Sequence, residues 1–442
     1  MGTRSARRQT LGTGFLIVLG TVLLMLTPTK AFSASTGPSS SSSSAQNGTE
    51  EEHPDLLDGT LSGKGDIDEE EVSKQGWIRP TTVLPPWLAY KKELLEKYGL
   101  AIAGSWGILG QNYSSSLVGQ DNSVGSKFTL NVGYALLNRG TPDALWLESV
   151  FEDRRPLGTD LAPLQAGLAT GSATATAPTW GQFDLGVTQL YLRQNLFNNS
   201  FQYAIGKLFA PNFVNPYPLF DDNRQYLSQM FTTSITIPVP LRGMGMVGAW
   251  FPTESGVYVK GGMYTVYSND TGNTFEFFTK PDYFYHLEFG WSGSARSGTP
   301  IQAFGPMDAN NFSVTVWHKD PQQFGPGEAN GVAFNANYLV RDDLMVFLRG
   351  GVSDGWVIND TINTGFAWRP FQTHEDLFGL GAGVARPASP LLRDQFVYEA
   401  FYRFQMTSNL AFTPDIQLIQ SPALNPTKNE VWVFSLRSRL TF

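Results

Sequence analysis

The stretch VWVFSLRSRLTF, residues 431–442, decides how the chain is read. Trp432, Phe434, Leu436 and Leu440 alternate with polar positions that include Arg437 and Arg439, and the last residue is Phe442. A period of two sends alternate side chains to opposite faces of a strand. One face is then apolar and aromatic, and the other carries two guanidinium groups. A soluble strand can alternate in the same way, so the rest of the chain must say what each face meets.

The pattern recurs throughout the chain after Leu100. In SKFTLNVGYALLN, Phe128, Leu130, Val132, Tyr134 and Leu136 share a face opposite Lys127, Thr129, Asn131 and Gly133. In RDQFVYEAFYRFQM, Phe396, Tyr398, Ala400, Tyr402, Phe404 and Met406 oppose Glu399, Arg403 and Gln405. TINTGFAWRP sets Ile362, Phe366 and Trp368 against Asn363 and Arg369. Each is the signature of a half-buried strand.

The connections differ in length. Residues 138–143, 195–200, 252–255, 341–343 and 407–409 are tight turns. Residues 154–182, 210–242, 268–282, 320–328 and 421–429 are long or loose. Two connections break the pattern: the long 292–310 on the short side and a short turn near Asp354 on the long side. Short turns at one end and long loops at the other describe an all-β, up-and-down antiparallel barrel that crosses a membrane. About sixteen strands follow Leu100, an even number as bacterial single-chain barrels have. The apolar faces then meet lipid and the polar faces line the interior. Closure pairs every backbone group without leaving an edge.

Composition agrees. The chain has 442 residues with 31 Phe, 16 Tyr, 11 Trp and 45 Gly, and its charged fraction is 16%. That fraction is low for a soluble protein, and the glycines suit tight turns. Mean hydropathy is only -0.17, because half of each strand is polar. A net charge of -8 argues against nucleic acid as a partner. There is no cysteine, which excludes disulfides and thiol chemistry.

The front of the chain divides in two. Residues 1–34 read as a signal peptide: Arg4, Arg7 and Arg8, then LGTGFLIVLGTVLLML, then small residues near 31–35. A retained anchor is the alternative, but the apolar run is short and broken by glycine. Residues 35–80 are Ser-rich and acidic and read as a disordered leader. Residues 81–442 are then the barrel. PPWLAYKKELLEKYG, residues 85–99, is a short helix opened by proline, with Glu93 and Lys97 four apart and Gly99 placed to cap its end.

Here a family resemblance becomes specific. Residues 399–442 resemble the closing segment of the OprB-type carbohydrate-selective porins. A Glu-led strand with Tyr402–Arg403–Phe404 leads to a turn, then to the TPDIQ strand of residues 413–417, a loop with Asn425–Pro426, and a last strand ending in Phe. DLFGLGAGVARPA, residues 376–388, precedes it as in the family, and residues 190–231 resemble the family's strand pair and long loop, including Gly206–Lys207–Leu208. The resemblance implies a sixteen-stranded outer-membrane porin that passes sugars by diffusion and is narrowed by inward loops. It also implies an outer-membrane lipid surround and recognition of Phe442 by the barrel-assembly machinery.

Other motifs have weaker claims. GVSDG, residues 351–355, matches the esterase pattern, and His374 and Asp376 could be imagined as partners, but a strand follows rather than the required helix. GLGAGVA, residues 379–385, lacks the helix and the acidic partner of a dinucleotide loop, so close packing within a strand accounts for it. His53, His286, His318 and His374 are too scattered for metal ligation, and no cofactor is indicated. Glu148 and Glu152 could be a glycosidase pair. They share a strand face with Arg154, however, where mixed charge is ordinary pore lining. No catalytic residue is assigned.

A channel that favours sugars needs several weak polar and aromatic contacts in series. Glu148, Glu152, Arg154, Glu399, Arg403, Asp415, Gln417, Arg437 and Arg439 have lumen parity, and Trp317 is an aromatic of the same parity. The long loop 210–242, with Asp221, Asp222 and Arg224, is the candidate constriction. A general or ion-selective porin, or an outer-membrane hydrolase, are the alternatives.

Overall fold

A computed structural model describes residues 53–57, 67, 76–78, 85–141, 143–293, 310–322, 327–371 and 375–442. The expected signal peptide, His374 and most of the leader lie outside these. Among the described residues, helix α1 (Pro85–Tyr98) leads into sixteen strands. They are β1 (Leu100–Tyr113), β2 (Asn122–Leu137), β3 (Leu145–Pro156), β4 (Phe183–Leu196), β5 (Phe201–Phe209), β6 (Arg242–Trp250), β7 (Val257–Thr265) and β8 (Tyr283–Gly293). The second half comprises β9 (Asn310–Lys319), β10 (Ala329–Arg341), β11 (Leu344–Asp354), β12 (Ile358–Trp368), β13 (Leu377–Pro387), β14 (Gln395–Gln405), β15 (Leu410–Gln420) and β16 (Glu430–Thr441).

Each strand pairs antiparallel with its sequence neighbours, and β16 pairs with β1 from Ser105↔Thr441 to Tyr113↔Val433, so the sheet is a closed barrel. No helix among the described residues is long and apolar enough to cross a membrane.

The start of β1 at Leu100 is set locally. Gly99 adopts φ 69° and its N–H bonds to the Leu95 carbonyl, 2.9 Å away, which ends α1 as a glycine cap does. The expected Glu93–Lys97 pair is present at 2.5 Å.

The two ends of the barrel differ as the sequence pattern requires. Residues 197–200, 251–256, 342–343 and 406–409 form compact turns at the end that also holds the start of β1 and the end of β16. Residues 157–182, 210–241 and 266–282 are long connections at the other. These are called below the turn end and the loop end. The short connection near Asp354, residues 355–357, is at the loop end as expected.

The faces also fall as the alternation requires. On β16, Val431, Val433, Ser435 and Arg437 are buried inside, while Phe434 and Leu436 are 52% and 56% exposed on the outer surface. Trp106, Tyr134, Leu190, Ile205, Phe289, Val316, Leu380, Phe396 and Tyr398 continue this apolar outer band. The interior is not an empty tube. Loops 157–182 and 210–241 fold inward, with helix α2 (Pro163–Leu168) in the first and a 3₁₀ turn (Ala210–Asn212) and helix α3 (Gln229–Thr232) in the second. Phe213, Tyr217, Leu219, Tyr226, Leu227, Met230 and Phe231 of the longer loop have essentially no exposed surface.

The described leader residues are also docked. Leu56 and Leu57 join an interior cluster with Tyr191, Ala204, Phe213 and Tyr258. Asp55 accepts from Arg193 and Asn195 at 2.7 Å each. His53 stacks on Phe251 in the turn after β6, with centroids 4.6 Å apart. Trp77 and Ile78 add backbone bonds to Gln405 and Met406 at the turn end of β14. The composition that reads as disorder is an average over residues 35–80, and it hides the apolar Leu56–Leu57 pair.

Candidate functional site

The long loop is held inside the barrel from several directions, and this determines which inward side chains still face open space. On β13 the inner face is Gly379, Gly381 and Gly383. A Cβ on Gly381 would meet the Phe231 ring at 2.8 Å, and one on Gly383 would meet Met230 Sδ at 2.7 Å. The glycine run that superficially resembles a dinucleotide loop is therefore the bed on which α3 lies. Tyr226 packs edge-on to Phe401 and Phe347 and donates to the Phe366 carbonyl at 2.8 Å. Arg349 reaches in from β11, covers the Tyr217 ring at 4.1 Å, and donates to the carbonyls of Phe231 and Asn215.

Several expected pore-lining residues hold this loop rather than facing solvent. Glu399 accepts from the N–H groups of Leu227 and Ser228 at 2.5 and 2.9 Å. Arg437 donates to the carbonyls of Asp222 and Gln225 at 2.6 and 2.9 Å. Gln417 donates to the Thr176 carbonyl of the other inward loop and to Asp415. Trp317 is 4% exposed and stacks on Phe284, so it packs the wall and does not present a face to the lumen. Glu148 sits near Arg193, which Asp55 of the leader also engages. For all of these the parity is inward, as read, but other protein groups occupy the space they point into.

Glu152 and Arg154 do border open space. A cavity of about 190 Å³ lies toward the loop end, lined by Lys127, Glu152, Arg154, Thr179, Phe183, Asp222, Gln229 and Arg242, among others. Glu152 bridges Arg154 at 2.5 Å and Arg242 at 2.7 Å, and Arg242 also holds Asp270 at 2.9 Å. The guanidinium carbons of Arg154 and Arg242 lie 4.8 and 5.4 Å from the Phe183 ring centroid. Beside them on β2, in register with Arg154, Lys127 lies 3.5 Å from Asp222, whose carboxylate also accepts from the Thr179 amide and hydroxyl. Cations and carboxylates thus alternate around one space beside phenyl surface.

The three loop residues singled out from sequence are all inside the barrel. Asp221 and Arg224 pair at 3.2 Å. Burial raises the Asp221 carboxyl, but Arg224 and Arg439 outweigh it and leave it below the ordinary aspartate range. Toward the turn end a second, smaller cavity is lined by Arg224, Glu375, Arg403, Asn409, Arg439 and Thr441. Arg403 donates to the Glu375 carbonyl at 2.9 Å.

Three contributors escape the sequence reading. Arg242 opens β6 on the outward parity yet reaches inward at the rim. Phe183 opens β4, before an irregular register near Val150–Phe151 and Glu152–Arg154. Asn223 carries no charge and sits between the charged residues that drew attention. Lys127, by contrast, was visible in the polar face of β2.

The esterase reading finds no support in the geometry. Ser353 donates to the Ile358 carbonyl across the β11–β12 turn, and β12 is a strand. Among the described residues no group of three or more His, Asp or Glu side chains is placed to hold a metal ion.

Comparison with known proteins supplies an independent view. The model of the carbohydrate-selective porin, OprB family, matches residues 349–442, which bears out the resemblance read in the closing strands. Porin AaxA of Chlamydia felis is 23% identical over 239 residues, covering 50% of this chain and 51% of that protein. Porin AaxA of Chlamydia pneumoniae is 26% identical over 274 residues, covering 56% and 60%. The chain thus spans about half the length of the curated relatives it matches. The solved structure of Pseudomonas putida OprB superimposes with a TM-score of 0.66 over 84% of this chain and 99% of that one, at 14% identity. That likeness is one of fold alone, a closed barrel.

Proposed function

We propose that this chain is an outer-membrane porin through which small carbohydrates diffuse passively, with no chemical step. The observation that carries the reading is the cavity around Glu152, Arg154, Arg242, Lys127 and Asp222, inside a barrel whose outer surface is apolar. A sugar presents hydroxyls that both donate and accept, and faintly apolar C–H faces. Paired charges beside phenyl surface offer both kinds of contact without one deep well, and weak sites in series let a solute leave. Guanidinium groups suit a polyol because their donors lie in a fixed plane. The match of residues 349–442 to a carbohydrate-selective family supports the same solute class.

The surroundings follow from the same reading. The aromatic outer band meets outer-membrane lipid, export uses the amino-terminal signal, and the barrel-assembly machinery recognises Phe442. A second reading is favoured by a specific observation: the cavity's charges are of both signs and already paired, which suits ions or small polar solutes in general.

Liposome swelling separates the two. Purified protein in liposomes should admit mono- and disaccharides faster than amino acids of similar size, and sugars should block planar-bilayer current in a concentration-dependent way. Equal swelling rates with no block would replace the sugar reading with the general-porin one.

A further inference from the structure

We propose that solute crosses the barrel off its axis, from the cavity beside β2 and β3 toward the loop end to the cavity beside the turn-end residues of β14, β15 and β16, and that Asn223 is the side chain it passes at the narrowest level. This rests on the porin reading and adds where the path runs.

Two observations define the route. The cavity of about 190 Å³ toward the loop end and the cavity of about 20 Å³ toward the turn end are both lined by Asn223. The first reaches Lys127 and Glu152 on β2 and β3, and the second reaches Arg403 and Arg439 on β14 and β16. Asp221, Asp222 and Arg224 around it are at most 7% exposed, whereas Asn223 is half-buried. The loop thus presents one uncharged amide to both spaces.

The opposite half of the barrel is filled. Phe213, Val214 and Ile237 of the long loop pack with Tyr258, Tyr264, Phe284 and Trp317 in one continuous cluster. Leu56 and Leu57 close the same cluster from the turn end. Asn215 is pinned to Thr315 of β9 at 3.1 Å. Neither cavity is lined by a residue of this cluster.

The chemistry at Asn223 suits a neutral polyol. Asp221 Oδ1 accepts from both the backbone N–H and the side-chain Nδ2 of Asn223, each at 2.8 Å, so the amide is oriented. A primary amide both donates and accepts, and it carries no net charge to retain an ion. Charged groups flank it on either side, and the solute passes from one polar set to the next.

The chain contains no cysteine, so a single introduced thiol reports on one position. Asn223→Cys, folded and reconstituted in planar bilayers and in liposomes, should react with a bulky thiol reagent. Single-channel current and sugar swelling should then both fall, by about fivefold or more for a plug at a constriction. Ser313→Cys, on the inner face of β9 in the filled half, should lose neither. Asn223→Trp should reduce conductance without any reagent, which covers the case in which the cysteine variant folds poorly. The route is overturned if Asn223→Cys labels fully with current unchanged, or if it fails to label in a channel that conducts. Ionic current reads the route even in a channel with no sugar preference, so failure of the sugar reading is told apart from failure of the path.

Discussion

At the scale of single residues, Arg437 shows how a lumen side chain can have the right parity and a different task. Its guanidinium is 1% exposed and donates to two carbonyls of the long loop. Hydrogen bonds from a charged donor contribute about 1.5–3 kcal/mol each, so Arg437→Ala removes a main restraint on the loop. The barrel itself closes through backbone bonds and should still assemble. The expected outcome is normal heat-modifiable mobility on gels but larger, noisier single-channel currents. Unchanged currents would mean that the loop needs no anchor there. The inward face was legible from the alternation of 431–442. The engagement was not, because the partner carbonyls belong to residues more than two hundred positions away.

At the scale of elements, a strand and a loop helix are matched in shape. The inner face of β13 lacks side chains where α3 needs room. Gly383→Leu would drive a branched side chain into Met230, and overpacking of this kind costs about 1–3 kcal/mol. The loop should be displaced, giving a lower melting temperature in detergent and a higher conductance. If melting and conductance both match the parent, α3 does not depend on that bed. From sequence, glycine in this strand pointed to close packing, which the structure bears out. What packs there could not be read, since nothing local to residues 379–385 encodes the approach of residues 229–232.

At the scale of the whole molecule, the last residue takes part in the seam that closes the barrel. Phe442 exchanges both backbone hydrogen bonds with Gly104 at 2.9 Å, and its ring stacks beside Phe128 of β2 with centroids 6.1 Å apart. A Cβ at Gly104 would stand 2.7 Å from that ring, so a glycine makes the space. Deleting Phe442, or changing Gly104→Val, should lower the fraction of folded, heat-modifiable barrel, whereas Ser438→Ala on the same strand should leave it at the parental level. Equal yields for all three variants would show that the seam between β1 and β16 does not need this contact.

The sequence by itself determined the strands, their two faces, the short and long ends and the cap at Gly99. All of these rest on interactions within a few residues or on a strict period of two, which survive any long-range arrangement. Only the tertiary structure decided where the loops go once they leave the rim. It turned Glu399, Gln417 and Arg437 from open lining into loop supports, buried Trp317 in the wall, brought Leu56 and Leu57 inside, and left Asn223 between two cavities. The physical reason is that a side chain's environment inside a closed barrel depends on what fills the space opposite it. That filling comes from segments distant in the chain, whose approach carries no local periodic signature.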